Sequence, residues 1–315
     1  MNKNSRSLKL SGIVPPLVTP LIDESHLDVK GLEKVINHVI AGGVSGVFVL
    51  GTTGELARLS SEIRKEVIVE TCRIVNRRVP VLIGITDPSM LETLKLEKLA
   101  CQYGADAVVL APPFYYHVEQ NELLDYYNEV AKNITLPMYM YNMPSRTHIN
   151  ISIDTVMKAT KIPGIIGLKD SSGDLFYFQK LLFLLKDNPD FTVFVGPEEI
   201  LSQCVLLGAS GGVNGGANIY PELFVKLYEA SIKKDVDAIN ELQDEVTKIS
   251  STLYQVGKGN FIKILKEALH QKGFCEAYMA KPYLPFTEKD IIKISESLNE
   301  IEHKNSAKIE FHEYN

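Results

Sequence analysis

The sequence predicts a (β/α)8 barrel, the TIM-barrel arrangement, with a C-terminal helical extension, and three observations carry that expectation. From residue 12 onward, short apolar runs alternate about eight times with longer segments of helical period, the pattern of βα units feeding a parallel sheet. Most of those runs are rich in Val, Ile and Leu without polar alternation, as a strand covered on both faces requires. No linker interrupts the units, and 315 residues suit one barrel with extra helices. An open doubly wound sheet is the competing arrangement of the same units. Residues 12–234 are therefore assigned to the barrel, 235–303 to the extension, and 304–315 to a polar tail without period that is expected to be poorly ordered.

Taken in order, strands are expected over 13–19, 46–50, 79–85, 107–111, 137–141, 165–169, 192–196 and 211–214. Between them, apolar spacing of helical period places helices over 29–41, 61–75, 90–103, 120–133, 152–160, 175–185, 198–207 and 221–233. Gly42 and Gly43, Gly104 and Gly208 fall where helices should stop, since glycine accepts the left-handed backbone of a helix C-terminus. Three more helical segments, 235–256, 259–272 and 288–303, follow with no strand between them, and their amphipathic faces read as packing surface against the barrel.

Composition excludes several classes. Hydrophobic residues make up 45% and charged residues 23%, average values for a soluble globular chain, and no run approaches the roughly 18 apolar residues of a membrane span. Residues 1–9 carry positive charge with no apolar segment behind it, so they read as a short frayed end rather than a secretory signal. A net charge of −6 without a Lys/Arg run argues against a nucleic-acid partner. Cys72, Cys101, Cys204 and Cys275 are far apart, with no C-x-x-C and no histidine at zinc-ligand spacing. A reducing cytoplasm fits. No H-E-x-x-H, Walker loop or dinucleotide glycine motif follows a strand, so no metal or cofactor is expected.

In such a barrel the chemistry sits at the C-terminal ends of the strands. The stretch 163–174 reads as an apolar strand ending on Lys169 and a polar turn. Alternation places Ile165, Gly167 and Lys169 on one face, with Gly167 clearing space beneath the lysine stem. Held among apolar neighbours, a lysine loses hydration of its charged form, its pKa falls, and the neutral amine can attack a carbonyl. A solvated lysine at a strand end is the plain alternative. The second strand runs into Gly51, Thr52, Thr53, Gly54 and Glu55, whose N–H and hydroxyl groups can receive a carboxylate or simply form a tight turn. Tyr115 and Tyr116 follow the fourth strand and Tyr141 ends the fifth, as proton carriers or as rim aromatics. Arg146 offers a planar fork to a carboxylate, or a surface ion pair. The glycine-rich turn 211–218 is either a phosphate cradle or a means of keeping the cavity open.

Three segments, 51–55 (Gly-Thr-Thr-Gly-Glu), 141–147 (Tyr-Asn-Met-Pro-Ser-Arg-Thr) and 167–174 (Gly-Leu-Lys-Asp-Ser-Ser-Gly-Asp), occur in that order at barrel-like spacing. Together they resemble the dihydrodipicolinate synthase / N-acetylneuraminate lyase family, from about residue 12 to the last helix. The resemblance implies class I aldolase chemistry, a lyase in which a lysine condenses with pyruvate or another 2-oxo acid and then joins or releases an aldehyde. It assigns the Schiff-base lysine to Lys169 and the proton-moving tyrosine to Tyr141. Thr52 becomes the hydroxyl linking Tyr141 to a second tyrosine. That second tyrosine is Tyr115, reaching the site from an adjacent subunit, with Tyr116 in its place if the register differs by one. Thr53, within the turn opened by Gly51, would hold the pyruvate carboxylate, and Val213 would offer its main chain. Arg146 matches the arginine that synthases direct at an acidic aldehyde and that sialic acid lyases generally lack. Two positions depart from the synthase pattern. His148 stands where a glycine is usual, and Glu198 and Glu199 follow Gly196 and Pro197 where a small Gly-Asp turn is commoner. The resemblance leads to dihydrodipicolinate synthase chemistry on aspartate semialdehyde, with a retro-aldolase of a 2-oxo sugar acid as the enzymatic alternative and a catalytically silent sugar-acid-binding barrel as the third. A homo-oligomer is expected, a tetramer before a dimer.

Overall fold

The computed structural model describes residues 8–312, and it is a closed parallel barrel wrapped by helices. In chain order the elements are β1 (Gly12–Ile13), α1 (Val29–Ala41), β2 (Val47–Val49), α2 (Ser61–Val75), β3 (Val81–Gly84), α3 (Met90–Tyr103), β4 (Ala107–Leu110), α4 (Gln120–Asn133), β5 (Met138–Asn142) and the short α5 (Pro144–Thr147). They continue as α6 (Ile153–Ala159), β6 (Ile165–Asp170), α7 (Leu175–Leu184), β7 (Thr192–Val195), α8 (Leu201–Leu206), β8 (Gly211–Gly212), α9 (Pro221–Lys233), α10 (Val236–Thr252), α11 (Phe261–Gln271) and α12 (Glu288–His312).

The strands run β1-β8-β7-β6-β5-β4-β3-β2, each pair parallel. Closure between the ends comes from a parallel bridge of Pro16 with Phe48, where Phe48 N–H donates to the Pro15 carbonyl at 3.0 Å and Leu17 N–H to the Phe48 carbonyl at 2.8 Å. The open-sheet alternative is thereby removed. The first strand is shorter than the expected 13–19 because Pro15, Pro16 and Pro20 have no N–H to give a ladder. Helix starts follow local chemistry, with Asp28, Ser60, Ser152, Asp174 and Asp235 side chains accepting from the first turns of α1, α2, α6, α7 and α10. Gly104, at φ +86°, ends α3 where the sequence places the stop.

Two apolar layers result. An outer one packs α1–α4 and α6–α11 onto the strands, while an inner one fills the barrel with Val14, Phe48, Leu82, Val109, Tyr139 and Phe194, all buried. The extension is joined to the outer layer through Ile249, Leu265, Leu269, Ile294 and Leu298. Its last helix does not end at 303. It continues to His312, into the segment expected as a tail, because 304–312 contains no Gly or Pro to stop propagation. Residues 313–315 of that tail, and 1–7 of the expected frayed end, lie outside the described residues. Among those described, no helix is long and apolar enough to cross a membrane.

Candidate active site

Lys169 sits on β6 between Tyr141 of β5 and Phe194 of β7 in the sheet register. It is 6% exposed, with Nζ 4.3 Å from the centre of the Tyr141 ring and 5.2 Å from that of Phe48. Burial among these rings pushes its pKa below the ordinary lysine value, and Tyr141 partly offsets the fall. The strict alternation expected of β6 does not hold. The register steps from Met138 opposite Ile165 to Tyr139 opposite Gly167, so Ile165 joins the outer layer and Ile166 packs against the inner one. A bulge re-aims the strand, as bulges do beside functional groups, and Ile165 does not share the face of Lys169. Gly167 clears room for a specific neighbour. A Cβ there would lie 2.6 Å from Tyr139 Cε1 and 2.4 Å from the Thr192 carbonyl, so the missing side chain admits the tyrosine one layer below the lysine.

Asp170, the next residue, is buried and ties the ends of β5 and β6 together. Its Oδ1 accepts from Asn142 Nδ2 at 2.8 Å and its Oδ2 from Ser172 Oγ at 2.9 Å. Tyr141 and Lys169 are therefore fixed side by side by the residues that follow each of them. Tyr141 OH lies 3.2 Å from Thr52 Oγ1, across the barrel mouth from β6. The turn bearing Thr52 follows β2 closely. Leu50 and Glu55 both have positive φ, +56° and +59°, and the Leu50 carbonyl rests where a Cβ on Gly84 would stand, 1.9 Å away. Only glycine at 84 permits that approach.

A cavity of about 220 Å³ opens at these strand ends, lined by Gly51, Thr52, Tyr141 and Arg146 together with apolar side chains such as Leu50 and Phe114. Other expected participants are placed differently. Thr53 is buried beside the lining turn rather than in the wall. Val213 is buried in the inner layer and its N–H donates to the Val195 carbonyl at 2.8 Å, so only its carbonyl remains to meet a ligand. Tyr115 is not brought to the cavity within one chain; it is 84% exposed, at φ +88°, stacked edge-on against an equally outward Tyr116. Of that aromatic cluster only Phe114 reaches the wall.

Arg146 projects from α5 at the rim, and His148 closes α5 with φ +58°. The left-handed backbone explains why glycine suits position 148 and shows that histidine adopts it here. Glu198 is not in the cavity wall. It is buried beneath the turn after β8, accepting from Gly216 N–H at 2.8 Å, and burial pushes its pKa up to about 7. A carboxyl in that place opposes a phosphate, so of the two readings of 211–218 the structure favours a packed, cavity-shaping turn.

Four residues escaped the sequence reading. Arg58 lines the cavity with its guanidinium 3.7 Å above the Tyr283 ring, and Ile262 and Tyr283 reach the same wall from the extension. Among the described residues, arginine salt bridges are made by Arg64 and Arg73, which leaves the Arg58 and Arg146 charges at the mouth without a carboxylate partner. Glu55 pairs with Lys266 of α11 at 2.6 Å, both side chains fully buried. A lysine on an amphipathic helix reads as solvated, and nothing in its neighbours signals otherwise.

Comparison with known proteins shows what the chain is similar to. Residues 9–301 match the Dihydrodipicolinate synthetase family. The chain is 33% identical over 284 residues to a probable 2-dehydro-3-deoxy-D-pentonate aldolase, YjhH, of Escherichia coli K12, spanning 89% of this chain and 94% of that one. A solved dihydrodipicolinate synthase from Bacteroides thetaiotaomicron is 48% identical with a TM-score of 0.90, covering 92% of this chain and 98% of its own. YagE of Escherichia coli K12, solved in complex with pyruvate, is 30% identical with a TM-score of 0.88, covering 93% and 98%.

Proposed function

The chain belongs to the dihydrodipicolinate synthetase family, a family of lyases of the aldolase type, and on that premise we propose that it joins pyruvate to aspartate semialdehyde through a Schiff base at Lys169. The observation that carries the reading is the desolvated amine of Lys169 packed against Tyr141, whose hydroxyl meets Thr52. Pyruvate is supported by the YagE complex, and an acidic aldehyde by Arg146 at the rim, which has no carboxylate partner among the described residues.

The steps follow from the groups present. Neutral Nζ attacks the pyruvate C2 carbonyl, and the oxygen takes up the proton that the nitrogen sheds, giving a neutral carbinolamine. Tyr141 delivers a second proton to the departing hydroxyl, water leaves, and the iminium forms. Loss of a C3 proton gives an enamine, whose C3 attacks the aldehyde carbon; the new alkoxide takes a proton, and water hydrolyses the imine to free Lys169. Thr52 passes protons to and from Tyr141, and in an oligomer, a tetramer by preference, Tyr115 of a neighbouring copy would extend that chain. The exposure of Tyr115 and Tyr116, 84% and 78%, suits such an interface. Gly51 in the cavity wall, backed by Thr53, would seat the pyruvate carboxylate, with the Val213 carbonyl beside it. Four free cysteines are at ease in a reducing cytoplasm.

Cleavage of a 2-oxo sugar acid to pyruvate is the second reading, favoured by the likeness to YjhH. One experiment addresses both. Borohydride reduction in the presence of pyruvate should add mass to the Lys169 peptide, and Lys169→Ala and Lys169→Arg should abolish the label, since a guanidinium stays protonated. Arg146→Ala should leave labelling intact while lowering kcat/KM for aspartate semialdehyde by about 1.5–3 kcal/mol, ten- to hundredfold, the range of a hydrogen bond to a charged group. Absence of an adduct at every pH where the protein is folded would move the silent barrel to first place; an Arg146→Ala enzyme unchanged with aspartate semialdehyde, beside pyruvate release from a sugar acid, would favour the second reading.

A further inference from the structure

The turn that presents Thr52 is strained; inside the barrel Thr19 Oγ1 donates to its Gly54 carbonyl at 2.8 Å, and a second hold reaches it from outside. Leu50 and Glu55, at φ +56° and +59°, are side-chain-bearing residues in the left-handed region, a conformation that persists only where the surroundings over-determine it. Inside the turn, Glu55 N–H donates to the Thr52 carbonyl at 3.1 Å and Leu56 N–H to that of Gly51 at 3.4 Å, so Glu55 and Thr52 move as one body. The Glu55 carboxylate then leaves the barrel. Its Oε1 lies 2.6 Å from Lys266 Nζ, its Oε2 accepts from Ala280 N–H at 3.1 Å, and Lys266 Nζ donates at 2.6 Å to the Tyr278 carbonyl. Every one of these partners belongs to the extension.

A fully buried ion pair is a weak source of net stability, because the cost of removing both charges from water rivals their attraction, and an apolar pair of like volume holds a fold as well. What an ion pair with directed hydrogen bonds supplies is a single allowed geometry. That geometry matters at Thr52. Its contact with Tyr141 is 3.2 Å, already long for a hydroxyl pair, so a small displacement of the turn opens it.

We infer that Lys266 is a positioning residue: through Glu55 it clamps the 51–55 turn so that Thr52 stays within reach of Tyr141, which makes the helical extension part of the proton relay. The inference rests on the Schiff-base reading of Lys169. A positional defect of this kind costs up to about a hundredfold in rate.

The test is single-turnover imine formation with pyruvate, quenched by borohydride, in the parent, Glu55→Gln/Lys266→Met, Thr52→Ala and the three combined, each well below its melting temperature. The paired variant removes both charges and should form the imine about ten- to hundredfold more slowly, with half-saturation by pyruvate moved less than about threefold. Added to Thr52→Ala it should cost little more, since the contact it aligns is already gone. Losses that multiply in the combined variant, or a paired variant that labels at the parent rate, would overturn the inference. Should the paired variant not fold, Glu55→Asp keeps the charge and shortens the reach, and the same comparison with Thr52→Ala decides. No adduct in the parent would sink the Schiff-base reading and the clamp with it, whereas a normal parent with multiplying losses sinks the clamp alone.

Discussion

Tyr141→Phe separates the two duties assigned to that residue. The substitution deletes one oxygen from a buried side chain whose hydroxyl meets Thr52 Oγ1; the ring stays against Lys169. Stability should fall by about 1 kcal/mol, the net worth of one hydrogen bond. Two effects on the chemistry oppose each other. Tyr141 favours the charged form of Lys169 against the stronger influence of burial, so without the hydroxyl the lysine pKa drops further and more of the amine is neutral at a given pH. Nucleophile concentration alone would speed imine formation. Loss of the proton carrier should slow it by about 10²–10⁴-fold, roughly 3–5 kcal/mol of barrier, and the slowing should dominate. The assay is the rate of borohydride-trapped label at Lys169 against pH, read by peptide mass. Labelling in the parent should rise with pH through the depressed lysine pKa and level off; in Tyr141→Phe the plateau should be far lower and the rise displaced toward acid. A variant within about threefold of the parent rate would refute the proton-carrier role, and an undisplaced rise would refute the electrostatic one.

Gly167→Ala should cost about 1–3 kcal/mol of stability, measured by denaturant titration, and slow imine formation, because the new methyl would stand 2.4 Å from the Thr192 carbonyl and force the bulged strand away from Tyr139. At Glu198 the folded carboxyl titrates near 7 against an ordinary 4.5, so the native state keeps a proton that the unfolded chain releases between those values, and the stability of the parent falls as pH rises through that window. Glu198→Gln lacks the effect and should gain on the parent by up to roughly 3 kcal/mol between pH 4 and pH 8; parallel stability curves for the two would show that burial does not hold the proton on. In sedimentation the active species should be a homo-oligomer, with Tyr115→Phe slowing imine formation less than Tyr141→Phe, and a fully active monomer would remove Tyr115 from the relay.

The order of residues along the chain settles much of this protein. Apolar runs of strand character alternating with segments of helical period are local properties, written in side chains a few positions apart, and they place α1, α2, α3, α4 and α9 at the boundaries observed. Because strand ends meet at one face of any such barrel, the sequence alone puts Lys169, Tyr141 and Thr52 at a common mouth. Failures of the local reading have local causes too, such as prolines that shorten β1 and an uninterrupted helical run that lengthens α12. Other features depend on tertiary contact. The bulge opposite Met138 that turns Ile165 away from the lysine exists only once β5 and β6 pair. Glu198 is buried because the turn after β8 covers it. Lys266 looked like a solvated helix lysine until closure set it beside Glu55. Desolvation and charge pairing are sums over neighbours in space, and the neighbours that matter here stand on different strands and helices, so their effect on Lys169, Glu198 and Lys266 came into being only with the folded barrel.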